Sequence, residues 1–228
     1  MKIGIVQTAP NNCAALDRLA QKYSDVKIIH FVDGCLEICV EEGLAGTEKC
    51  HSILIRDFKA LEDAGCDRLG LLCSLVKPGI EKVRPFVSAP IICYDDVQAE
   101  KAVEVTPNGG RIAVIAMNTA SLAPSEKAVH EAAARAGKKA EVTTICVEAA
   151  RECLAETGSA DIADQYFERY LREHQDAYHA FVIPQIPMTR IMPKIRDLRT
   201  PVFDSIEPFL DRLINDNESG LKSNSCGQ

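Results

Sequence analysis

The sequence has no Gly-x-Gly-x-x-Gly after its first apolar run, no Gly-x-x-x-x-Gly-Lys-[Ser/Thr] and no Gly-x-Ser-x-Gly. The first absence removes the glycine turn that cradles a dinucleotide, and the second removes the backbone nest of a nucleoside-triphosphate loop. The third removes the strained elbow that presents a hydrolase serine. Positive charge is in deficit: 26 Lys and Arg stand against 33 Asp and Glu, a net charge of −7. Such a chain lacks the attraction for phosphate backbones on which nucleic-acid binding rests. No basic amphipathic stretch suits a membrane surface. Long apolar runs are missing too. Ile3-Gly4-Ile5-Val6, behind Met1-Lys2, is too brief for a signal-peptide core, and the other runs have the length of buried strands, not membrane spans. Neither nucleic acid nor membrane is expected as a partner, and a cytoplasmic location is expected.

What the sequence has in quantity is cysteine, ten in 228 residues. In a short secreted chain that would read as a disulfide framework. In a long chain with many apolar strands it reads as reduced thiols. No Cys-x-x-Cys occurs. Cys35 and Cys39 lie four apart, with Cys50-His51 further on, but the second close ligand pair of a zinc site is missing. Buried or half-buried thiols are expected there, and no metal.

Short apolar runs alternate with longer amphipathic ones. Strands are expected at Lys2–Val6, Lys27–Phe31, Arg68–Leu72, Pro90–Cys93, Arg111–Ala116, Glu141–Cys146, Ala180–Ile183 and Pro201–Phe203. Helices are expected at Asn12–Lys22, Cys50–Ala64, Val97–Val105, Ser125–Ala136, Ile162–His174 and Arg190–Leu198. This alternation implies βαβ units, a mostly parallel sheet and helices on both faces, which is an α/β fold.

A weak internal echo divides the chain. Ile3-Gly4-Ile5-Val6 resembles Ile112-Ala113-Val114-Ile115, residue 3 falling on 112. Leu71-Leu72-Cys73-Ser74 resembles Phe181-Val182-Ile183-Pro184, residue 71 falling on 181. Two pseudo-symmetric halves are expected, 1–94 with 201–228 and 95–200, with a cleft between them. The tail 218–228 is polar and rich in Gly and Ser and reads as frayed, with Cys226 an idle thiol.

Ligands of open α/β sheets bind outside the carboxyl ends of the strands. Four loops meet that condition. They offer Gln7, Thr8 and Asn11; Cys73 and Ser74; Asn118, Thr119 and Ser121; and Gln185. Hydroxyls and amides at strand ends suit a small carboxylate, although each residue alone also reads as a turn or cap. Cys73 stands out. It ends an apolar strand before Ser74, where a helix start would favour the thiolate, the reactive form. The bland alternative is a structural thiol like Cys93 or Cys146. His30 and His179 flank strands and read as structural. Asp95 and Asp96 read first as a helix cap and second as a cleft contact.

Over Lys2 to about Ile214 this pattern resembles the aspartate/glutamate racemase superfamily, which also holds hydantoin racemases, maleate isomerases and arylmalonate decarboxylases. The stretches that carry the resemblance are Leu72-Cys73-Ser74, His30-Phe31-Val32-Asp33 and Gln185-x-x-Met188. It implies two similar halves with the site between them, no pyridoxal phosphate or other cofactor, no metal and a homodimer. It also implies that Pro201–Ile214 returns to the first half. In the racemases two cysteines face each other across the substrate's α-carbon, since inversion needs an acid and a base on opposite sides. Cys73-Ser74 matches the first cysteine loop. The Cys-Thr-x-x-Pro-like second loop reads Ile183-Pro184-Gln185-Ile186-Pro187 and holds no Cys. This describes a divergent branch that retains only the first thiol, with Ile183, Pro184 or Gln185 in the second place.

The resemblance implies an isomerase of the racemase type, acting at the carbon α to the carboxylate of a small carboxylic or amino acid through Cys73. A single-thiol lyase such as a decarboxylase is the alternative, because decarboxylation forms an enolate without removing a proton from carbon. A non-catalytic small-carboxylate-binding protein is the third reading.

Overall fold

Eight short strands form two separate four-stranded sheets, and every pairing in both is parallel. The computed structural model describes residues 1–204 and 206–215, so the tail at 218–228 and Cys226 lie outside the described residues. The first sheet holds β1 (Lys2–Gln7), β2 (Lys27–Val32), β3 (Arg68–Leu71) and β4 (Ile91–Cys93) in the order β2-β1-β3-β4. The second holds β5 (Gly110–Ala116), β6 (Ala140–Cys146), β7 (Ala180–Val182) and β8 (Val202–Phe203) in the order β6-β5-β7-β8. Around the first lie α1 (Cys13–Ala20), α2 (Gly34–Glu41), α3 (Glu48–Asp63) and the short α4 (Ile80–Val83). With the second go α5 (Tyr94–Val105), α6 (Leu122–Arg135), α7 (Glu148–Thr157) and α8 (Ala160–His174). Helix α9 (Ile206–Asn215) ends the described chain. No helix among the described residues is long and apolar enough to cross a membrane.

The central strands are continuous apolar runs because both of their faces are covered. In β1, Ile3 and Ile5 pack with Leu16 of α1 and Phe209 of α9, while Val6 packs with Leu36 of α2 and Leu54 and Phe58 of α3. Helix α9 lies so close to β3 that a Cβ on Gly70 would stand 2.6 Å from Phe209 Cζ. Only glycine fits there. Phe209 is fully buried, and truncating such a side chain to Ala costs about 3–5 kcal/mol.

Two expectations need correction. The chain does not return to the first half at residue 201, because Val202 and Phe203 first pair with Phe181 and Val182 on the open edge of the second sheet. Among the described residues, α9 is what crosses back, packing its Ile206, Phe209, Leu210 and Leu213 with β1 and α1. The helix expected at Arg190–Leu198 is a 3-10 segment at Ile186–Lys194 instead. Pro187 and Pro193 remove backbone donors there and their rings crowd the preceding turn, which breaks an α-helical ladder.

The two sheets repeat one hydrogen-bond pattern. Asp67 N donates to Lys2 O at 2.9 Å, as His179 N does to Arg111 O at 2.8 Å. Leu69 N donates to Pro90 O at 3.1 Å, as Phe181 N does to Pro201 O at 2.9 Å. Asp33 N donates to Gln7 O at 3.0 Å, as Val147 N does to Ala116 O at 2.9 Å. Residue 7 therefore maps on 116, and residue 69 on 181. The sequence echo, which set residue 71 on 181, is two positions out of register. Continued past the strands, the true register sets Thr8 on Met117 and Cys73 on Gln185.

Candidate active site

Helix α5 ties the strand-end loops of the two halves together from its first two turns. Tyr94 Oη donates to Pro184 O at 3.0 Å. Ser74 stands beside the same phenol, lowering a pKa that burial raises. One turn on, Gln98 Nε2 donates to Ile183 O at 2.7 Å and to Phe203 O at 2.6 Å. Tyr94 is buried with Leu72 before the first loop, and Ile186 after the second packs on the same cluster. The Cys73-Ser74 loop and the Pro184-Gln185 loop thus adjoin at Tyr94.

Cys73 is half-buried at the end of β3. Thr8 Oγ1 donates to its Sγ at 3.8 Å, and the backbone N–H groups of Val76 and Leu75 are aimed at the sulfur. The expected helix start is not there: residues 74–76 form a turn, and α4 begins only at Ile80. Burial pushes the thiol above its ordinary value, and Asp95 adds to this, while Val76, Thr8 and Leu75 pull the other way. Burial wins, so at neutral pH Cys73 is a thiol held ready to give a proton.

Gln185 is half-buried at the matching place in the second half. Its Oε1 accepts from Met117 N at 2.5 Å. The two seats are therefore built alike: the residue after β1 or β5 donates to the side chain that follows β3 or β7. What differs is the group held.

The other candidates are placed as follows. Gln7 is 1% exposed, and its Nε2 donates to Cys13 Sγ at 3.1 Å and meets His30 Nδ1 at 3.0 Å. Asn11 lies in a 3-10 turn, Pro10–Asn12, and its side chain is outside the described residues. Asn118 is exposed and Ser121 buried. Asn118 Oδ1 accepts from Ser121 N at 3.3 Å and from Ser121 Oγ at 3.4 Å, which makes this pair a turn. Thr119 is exposed.

Asp17, Cys13 and Lys77 carried no legible signal. His30 Nε2 meets Asp17 Oδ1 at 3.0 Å, so Asp17, His30, Gln7 and Cys13 form one chain behind the β1 loop. Lys77 Nζ donates to Asp95 Oδ2 at 3.1 Å and Asp96 Oδ1 at 2.6 Å. Asp95 and Asp96 lie in the first turn of α5 and do not cap it. They clamp the turn that follows Cys73. Cys93, Asp95 and Asp96 are close enough to share a metal ion, but the Lys77 ammonium already supplies the positive charge between the carboxylates, so this set does not suit a resident cation. Cys39 and Cys50 are buried in the first core, Cys35 is exposed, and His51 Nε2 meets Pro78 O at 3.2 Å. Beside Ser74 a cavity of about 160 Å³ opens between Lys77, Gly79 and Asp96 on one side and Lys127 and Arg135 of α6 on the other.

No protein-family model and no curated protein sequence matches the chain. Its fold is that of solved racemases. An aspartate racemase homologue from Pyrococcus horikoshii superposes with a TM-score of 0.75 at 19% identity, over 93% of this chain and 97% of that one. Glutamate racemase from Aquifex pyrophilus gives 0.62 at 20% identity, over 94% and 83%. Allantoin racemase from Klebsiella pneumoniae gives 0.64 at 17% identity, over 94% and 86%.

Proposed function

We propose that the protein is a racemase-like, cofactor-independent isomerase that works at the carbon α to the carboxylate of a small carboxylic or amino acid, with Cys73 as its proton-transfer group. One observation carries this reading: Cys73 sits at the carboxyl end of its strand where the two halves adjoin, with Thr8, Leu75 and Val76 donating toward its sulfur. The substrate lies between the Cys73 and Gln185 loops. Thr8, Ser74 and backbone N–H groups hold its oxygens as negative charge moves onto them in the enolate, and Cys73 exchanges the proton at carbon. Asn118, Thr119 and Ser121, in the loop after β5, would border the same cleft in this reading. The working protein is a cytoplasmic homodimer in this reading.

Exchange of the α-proton for deuterium in D2O, measured by mass spectrometry over a panel of small carboxylic and amino acids, tests the assignment. Exchange by the native protein is expected for at least one acid, and none by Cys73→Ala. A variant that kept full turnover would remove Cys73 from the chemistry.

The single-thiol lyase reading has an observation of its own in its favour, since the place that faces Cys73 by register holds Gln185. An amide is a poor acid and a poor base. Loss of carbon dioxide from a malonate-type acid needs only one protonating group, and Cys73 in its thiol form is one. A product of single handedness is the expected sign. A racemic product counts against this reading.

A further inference from the structure

We infer that Gln185 is a substrate-binding residue that presents an amide N–H to an oxygen of the bound acid from the side opposite Cys73, so that this seat holds an acceptor group and exchanges no proton. The orientation of the amide is fixed by chemistry. A backbone N–H can only donate, so the atom 2.5 Å from Met117 N is the acceptor, Oε1. The NH2 is left over. Among the described residues it has no protein partner, and it is not one of the buried polar atoms without one. It therefore keeps access to solvent. The register sets it where Cys73 stands in the other half, and the Tyr94 hydroxyl ties the two loops together. The nearby ammonium of Lys77 is taken by Asp95 and Asp96, which leaves neutral donors to face the ligand.

Consequences follow for the substrate and for the handedness of the reaction. With Oε1 already accepting from Met117, what the seat has unused is its amide N–H donors, so the group that they meet is a carboxylate or carbonyl oxygen. An amide at that seat neither gives nor takes a proton, so proton transfer at carbon falls to Cys73, which allows exchange with retention or protonation of an enolate and rests on the single-thiol form of the function proposed above. This deepens the function proposed above and rests on it for the location of the cleft.

Malonate titrated into the ¹⁵N-labelled protein tests the inference. Binding is expected to shift the Gln185 side-chain NH2 resonances in step with saturation, and the same in Cys73→Ala. Failure of the thiol's role would thus leave the malonate result untouched and be read separately. Gln185→Glu keeps an oxygen for Met117 N–H but loses the donor. Its malonate affinity should fall by at least about tenfold, the scale of one charge-assisted hydrogen bond. Gln185→Met, which also loses the contact with Met117, should fall similarly. A side chain that only braces the loop would leave Gln185→Glu binding as the native protein does. The inference is overturned if the native protein does not bind malonate, if the Gln185 signals stay still at saturation, or if Gln185→Glu loses less than fivefold.

Discussion

The two halves of this molecule repeat a backbone and diverge at one atom group. In the first, Thr8 holds the Cys73 sulfur; in the second, the Met117 amide holds the Gln185 oxygen. The strands beneath share order, direction and the hydrogen bonds at their ends. A doubled fold thus keeps two equivalent seats while the chemistry in each is free to change. With a thiol in one and an amide in the other, one seat offers a group that can give up a proton and the other a group that cannot. The fold alone, shared with racemases at 14–20% identity, would not reveal that difference.

The largest expected effect comes from removing the moving side. Cys73→Ala should lower turnover of any exchanging acid by about a hundredfold to ten-thousandfold, since positioned acid–base groups contribute on the order of 10²–10⁴. Gln185→Glu should cost about tenfold to a hundredfold in kcat/KM, as expected for one lost donor. A reversal of that order would mean the roles of the two seats are exchanged. Gln185→Cys sharpens the contrast differently. It sets a second thiol opposite the first, so malonate should shield two cleft cysteines from iodoacetamide where it shields one in the native protein. Peptide mapping counts them, and a count that stays at one would deny that the two places face the same ligand.

Much of this architecture is legible in the sequence, and what is not has physical causes. All eight strands can be read because buried parallel strands are unbroken apolar runs bounded by turns. Cys73 can be picked out because it ends one of them. The exact counterpart of Cys73 cannot. The crossover connections of the two halves differ in length by a few residues, which shifts the match from Ile183 to Gln185, and only the hydrogen bonds of the sheet fix it. The hand on Gln185 is a backbone N–H, which leaves no mark in a sequence. Lys77 is a further case: its partners, Asp95 and Asp96, come from α5 in the other half, and a Lys far from an Asp pair looks like any surface charge. The helix expected at 190–198 is absent because Pro193 overrides the amphipathic spacing around it.

A smaller effect tests the hold on the sulfur. Thr8→Val removes the donating hydroxyl and keeps the side-chain volume. The Cys73 thiol, already pushed up by burial, should rise further, and its alkylation rate at pH 8 should drop by about threefold to tenfold. The rate of the native protein should itself climb through the alkaline range, past the value of about 8.5 of a free cysteine. Alkylation already complete in rate at pH 7 would show that the donors beat burial after all. Met117, whose contribution comes from its backbone, predicts the opposite: Met117→Leu should leave malonate binding at Gln185 as it was.

The smallest effect compares the halves in stability. Each hides one carboxyl with its pKa pushed up to about 6: Asp57 of α3 in the first, and Asp204 after β8 in the second. Burial is the main cause in both. Arg56 opposes it at Asp57, and the Thr189 hydroxyl opposes it at Asp204. A carboxyl whose folded value lies above its unfolded value of about 3.9 binds its proton more tightly when folded. What it adds to stability is complete below that value and is lost as pH rises through about 6. Asp57→Asn and Asp204→Asn cannot ionise, so each variant should gain in Tm relative to the native protein between pH 4 and pH 7. Asp57 has no exposed surface and Asp204 is half-buried, so the gain should be a few degrees for the first and less for the second. Asp33 and Asp197, whose values are lowered, pull the native curve the other way, which is why the difference between variant and native protein is the quantity to follow. A difference that is flat with pH for Asp57→Asn would mean that Arg56, half in water, neutralises the buried carboxylate as well as solvent does.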